Sequence, residues 1–161
     1  MSDVDSLARL FAGLHRESVE YVLVGGQAVR LNGFVRATED VDVLLAPGRD
    51  NGERIRRALS FLASAKDIDP AWFEPLPNGD VENIRVADDL LIDLLFSANG
   101  ETYLTLQSHI RTIELEGVPV RVLDIPGLLK TKTAYREKDI LDRSVLTRIQ
   151  QEIDEGGTRK N

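Results

Sequence analysis

The run Asp40-Val41-Asp42-Val43-Leu44-Leu45 leaves the chain few ways to fold. It alternates polar and β-branched residues and is closed by Pro47 and Gly48, which predicts a strand. Successive strand side chains point to opposite faces, so Asp40 and Asp42 project together while Val41, Val43 and Leu45 take the other side. One face is built to bury; the other presents two like charges that repel unless something positive stands between them. A hard divalent cation such as Mg²⁺ would satisfy them, since it takes one or two carboxylates and completes its shell with water and phosphate. A D-x-D pair by itself, however, is ordinarily a solvated strand or turn. A third carboxylate, Asp93, interrupts the apolar run LLIDLLF. Burying it unpaired would cost several kcal/mol, so it must meet a metal, a donor, or a structural cation such as Arg85 or Lys132.

Around this strand the pattern is that of an α+β domain with a mixed sheet, helices packed on it and a helical C-terminus. With 161 residues, 42% of them hydrophobic, the chain can bury one core; residues 1–155 read as a single domain and GGTRKN, 156–161, as a disordered tail. Leu7, Leu10, Phe11 and Leu14 mark a surface helix ending near Glu17. The run YVLVGG reads as a strand stopped by glycines, followed by a short helix up to Gly33. Ile55, Ala58, Leu59 and Leu62 predict an amphipathic helix over 53–65, and the prolines of DIDPAWFEPLPNGD break regular structure after it. VENIRVA and LLIDLLF are strands joined by a turn at Asp88 and Asp89. A short helix is expected around 100–109, then a hairpin, TIELEG and VPVRVLD, through Gly117. Asp124 with Pro126 starts helical periodicity running from Gly127 to about Ile153, with a break near Glu137.

Several function classes are excluded or disfavoured. The chain has no cysteine, hence no disulfide, no thiolate nucleophile and no Cys-ligated zinc. Its net charge of −7 opposes duplex DNA binding, which depends on displacing counterions with Lys and Arg. No apolar run approaches the roughly 20 residues of a membrane span, and MSDVDSLAR does not open a signal peptide, so a cytoplasmic location is expected. His15 and His109 lack carboxylate spacing and read as ordinary surface or core histidines; Trp72 and Phe73 read as loop anchors.

The flanks of the D-x-D pair narrow its meaning. Haloacid-dehalogenase-type phosphatases and many glycosyltransferases carry the apolar run before the first Asp, whereas here Arg36-Ala37-Thr38-Glu39 precede it. GGQAVRLNG also lacks the G-x-G-x-x-G of a dinucleotide-binding fold. The stretch VLVGGQAVRLNGFVRATEDVDVLL instead resembles the first motif of the polymerase-β-type nucleotidyltransferase superfamily, in the minimal prokaryotic branch that includes AbiEii-like toxins. Gly25, Gly26, Arg36, Thr38, Asp40 and Asp42 stand at that motif's positions, although many members have Gly-Ser where this chain has Gly25-Gly26. The resemblance resumes at LLKTKTAYREKDILD, with Lys132, Arg136, Asp139 and Asp142, and with Asp93 it covers most of residues 20–145.

The resemblance implies a nucleotidyltransferase fold and a metal-dependent enzyme that transfers a nucleoside monophosphate from an NTP to a hydroxyl on RNA such as tRNA, a protein or a small molecule. Asp40, Asp42 and Asp93 would be the catalytic carboxylates and the ligands of Mg²⁺ or Mn²⁺. Glycines at 25 and 26 let backbone approach a triphosphate closely, and the following helix aims its N-terminal amides at that anion. Lys132 and Arg136 recur with Leu128 every four residues, so on one helix they share a face that could hold the outgoing phosphates, while Lys130 is solvated. Asp139 and Asp142 read as structural, Asp139 as the partner of Arg143. A toxin countered by a cognate antitoxin protein is one form of this function. The alternatives are a catalytically silent nucleotide- or partner-binding module on the same scaffold, and a metal hydrolase that uses the same carboxylates. Retention of three clustered acids favours the enzyme, and the glycine turn with Lys132 disfavours the hydrolase.

Overall fold

A computed structural model of the chain describes residues 3–25, 28, 40–132 and 137–159. The expected short helix before Gly33 and the positions Gly26, Arg36, Thr38 and Arg136 lie outside these, apart from Ala28, which is buried. The described elements are α1 (Asp3–Arg16), β1 (Tyr21–Val24), β2 (Asp40–Leu45), α2 (Arg49–Ala58), β3 (Ile84–Ala87), β4 (Leu91–Leu95), β5 (Ile110–Leu115), β6 (Val118–Leu123), α3 (Ile125–Thr131) and α4 (Glu137–Arg159). The strands form one six-stranded sheet in the order β3-β4-β2-β1-β6-β5. It is mixed, as expected: β1 runs parallel to β6 and β2 parallel to β4, while the β1–β2, β3–β4 and β5–β6 pairs are antiparallel. The fold is α+β with a helical C-terminus.

β1 is buried along its whole length, in keeping with YVLV, whose one polar group, the Tyr21 hydroxyl, accepts from the Arg121 N–H. β2 behaves otherwise, with Val41 and Val43 buried and Asp40 and Asp42 half-buried. A buried amide ties the helical layer to the strand ends: Asn51 of α2 accepts from the Glu20 N–H at 2.9 Å and donates to the carbonyls of Glu20 and Ala46 at 3.1 and 2.9 Å. Gly13 of α1 lies so close to Ala58 that a Cβ there would strike the Ala58 carbonyl, so the two helices meet backbone to backbone. Phe73, fully buried, packs edge-on to Phe96 at 5.3 Å, whereas Trp72 is half exposed.

Three expected elements differ. The helix placed at 53–65 starts at Arg49 and ends at Ala58, and a 3₁₀ turn (Ala63–Asp67) follows. Leu59 and Leu62 are buried by this turn, so their spacing mimics a longer helix. Around 100–109 there is only a 3₁₀ turn, Gln107–His109, because Thr102 and Thr105 exchange side-chain to backbone hydrogen bonds that compete with a helix. In the C-terminal stretch the first helix ends at Lys132 and the next begins at Glu137, where a break was expected, but it runs to Arg159, past Ile153. The hairpin through Gly117 and the turn at Asp88 and Asp89 stand where the sequence puts them.

Candidate active site

The parallel pairing of β2 and β4 sets Asp42 directly beside Asp93, and Asp40 lies two residues along on the same face. On the reverse face Val41, Val43, Ile92 and Leu94 are almost completely buried, which pins the register, since a one-residue slip would turn the acids into the core. β1 delivers the third part: Gly25 follows Val24, the residue paired with Asp42, and has φ +67°. A Cβ at Gly25 would collide with the Asp42 carboxylate, so the glycine serves both its left-handed backbone and the close approach to the acid.

The positive charge at this cluster comes from β3. Arg85 is opposite Asp93 in the antiparallel β3–β4 pair. Its Nη1 donates to both carboxylate oxygens of Asp93 at 3.0 Å and to Oδ2 of Asp40 at 3.3 Å. Hydrogen bonding to Asp40 and the charge of Asp93 hold the guanidinium still higher than its ordinary range. Of the two structural cations that the sequence offers for Asp93, Arg85 is the one that meets it. Among the described residues no three acidic or histidine side chains are gathered into a metal-holding group, and a guanidinium stands at two of the three candidate acids. The donor chemistry is nevertheless of the kind Mg²⁺ or Mn²⁺ takes, being all carboxylate oxygen on adjacent strands.

Lys132 is engaged elsewhere. It is the residue at which α3 ends, with extended backbone (φ −93°, ψ 133°), so it does not continue the helical row from Leu128 toward Arg136. Its ammonium is buried and lies 3.1 Å from Asp142 of α4, with side chains only 6% and 10% exposed. Lys130 is exposed, as its phase predicts. Asp139 is buried, not a surface residue. At the junction Arg143, for which the sequence spacing predicts Asp139 as partner, donates to the carbonyls of Leu129 and Lys132, and Asn99, which sequence reasoning missed, donates to those of Lys130 and Lys132. An Asn-Gly turn signal at 99–100 was the available clue for Asn99, whose φ is +51°.

His109 faces Asp124, the N-cap of α3, at 3.0 Å, an ordinary structural pairing, and His15 is exposed near the end of α1. A cleft of about 1040 Å³ lined by Ala46, Pro47, Phe96 and Tyr103 opens at the far end of β2 from Asp40 and includes none of the three acids.

Neither a family model nor a curated protein matches the chain. A solved structure does: a Thermotoga maritima protein, itself assigned only provisionally as a nucleotidyltransferase, superposes with a TM-score of 0.52 at 15% identity over 98% of this chain and 93% of that one. What the two share is the fold.

Proposed function

We propose that the chain is a metal-dependent nucleotidyltransferase that moves a nucleoside monophosphate from an NTP to a hydroxyl of RNA, protein or a small molecule. The observation that carries this reading is the pairing of Asp42 with Asp93, with Asp40 on the same face and Gly25 pressed against Asp42. Asp40, Asp42 and Asp93 would hold Mg²⁺ or Mn²⁺, which supplies Lewis-acid stabilisation of charge at the α-phosphorus. Gly25 would let backbone approach a triphosphate, and Asp93 would accept the acceptor's proton. Gly26, Arg36, Thr38 and Arg136 belong to the proposal through the sequence resemblance alone. Lys132 can reach a phosphate only by giving up Asp142, so its contribution is to the α3–α4 junction. The AbiEii-like branch, with a toxin role and an antitoxin partner, is the finer form of the same reading.

The Arg85 bridge favours one second reading, a silent module in which a permanent ion pair has replaced the metal. Incubation with each labelled NTP, Mg²⁺ or Mn²⁺ and cell extract separates them. Transfer of label is expected from wild type, with a loss of about 10³-fold, roughly 4 kcal/mol of transition-state stabilisation, in Asp42→Asn. Equal labelling by wild type and Asp42→Asn would refute the enzyme reading.

A further inference from the structure

The acids that a divalent cation would need already hold a cation. Arg85 stands on β3, an outer strand of the sheet, and reaches across β4 so that one nitrogen contacts Asp93 twice and Asp40 once. Its side chain is 52% exposed, against 23% for Asp93. Charge therefore anchors the guanidinium more than packing does, and it can swing into water without opening the core. Both oxygens of Asp93 accept from the same Nη1, so a divalent ion at its usual contact distance of about 2.1 Å would sit against a like charge.

We propose that Arg85 is a built-in competitor for the divalent cation, neutralising Asp40 and Asp93 in the metal-free protein and leaving Asp93 when metal loads. The inference rests on Asp40, Asp42 and Asp93 being the metal ligands. It makes the strength of metal binding a property of β3, a strand that contributes no ligand. If the guanidinium is off Asp93 about a tenth of the time, the observed affinity is about tenfold weaker than the carboxylates alone would give.

Mn²⁺ titration followed by electron paramagnetic resonance, without nucleotide, tests this on wild type, Arg85→Ala, Arg85→Gln and Asp93→Asn. The two Arg85 variants should bind Mn²⁺ about tenfold more tightly than wild type, and Asp93→Asn more weakly. In wild type the Arg85 Nε–H resonance should shift on Mg²⁺ addition, with the midpoint of metal binding, a readout that does not depend on any variant folding. Unchanged or weaker affinity in folded Arg85 variants, or an Arg85 resonance indifferent to saturating Mg²⁺, overturns the proposal while leaving the metal site standing. Asp93→Asn that binds Mn²⁺ as well as wild type overturns the metal assignment and the competition with it.

Discussion

At the scale of single residues the candidate site is a problem of space as much as of charge. Gly25 and Gly79 both have left-handed φ, +67° and +88°, but only at Gly25 would a Cβ meet anything, namely the Asp42 carboxylate; Gly79 faces open space. Gly25→Ala and Gly79→Ala should each lose about 1–2 kcal/mol to backbone strain, visible in urea denaturation. Gly25→Ala should in addition displace Asp42 and abolish nucleotide transfer, while Gly79→Ala keeps it. Transfer retained by Gly25→Ala would separate the glycine from the chemistry. The common face of Asp40 and Asp42 was legible in the sequence, because a period of two needs no tertiary knowledge. The sequence leaves open whether Asp93 meets Arg85 or Lys132, although the turn read at Asp88 and Asp89 already folds β3 back on β4 and sets Arg85 opposite Asp93.

Between elements the buried Lys132–Asp142 pair decides how α3 meets α4. Removing one partner strands the other charge in a poorly solvated place, so Lys132→Met should cost about 3 kcal/mol, and Lys132→Met with Asp142→Leu should recover most of it. Thermal unfolding of the single and double variants measures this; additive losses would show that the two side chains do not act as a pair. Helical periodicity foresaw the break near Glu137, where α4 begins, but carried the first helix through Lys132, which keeps the four-residue spacing of Leu128 while its backbone has already left the helix. A second joint links the 3₁₀ turn at Ala63–Asp67 to the β3–β4 turn: Asp88 accepts from the Ser64 hydroxyl at 2.6 Å and from the Ser64 N–H at 2.9 Å. The bonds from Ser64, with one from the Asp89 N–H, hold the Asp88 carboxyl below its ordinary range. A depressed folded value means that the stabilisation is present above the unfolded pKa of about 3.9 and fades as pH falls through the folded one. Asp88→Asn should therefore narrow the stability difference between pH 6 and pH 2.5 relative to wild type, and an unaltered acid limb would count against the link.

For the molecule as a whole, the sheet order puts β2 and β1 at the centre and β3 and β5 at the margins. Hydrogen exchange should be slowest at Val22, Leu23, Val43 and Leu44 and earlier across Ile84–Ala87, an order that equal protection of β3 would contradict. The fold class was readable from the succession of strand and helix signals, while the neighbour relations were not, because β1 finds β2 on one side and β6 on the other, far along the chain. The hydroxyl of Tyr21 accepts from the Arg121 N–H at 3.2 Å across a separation of 100 residues. Translation proceeds from the N-terminus at about 5–20 residues per second, so roughly 5–20 s pass between synthesis of β1 and synthesis of the strand that covers its second edge. Throughout that interval the edge of β1 that β6 will cover stands unpaired, free to pair with a neighbouring chain. Ribosome stalling between β4 and β5, more than any point change in the finished protein, is thus the event that would turn this chain toward aggregation.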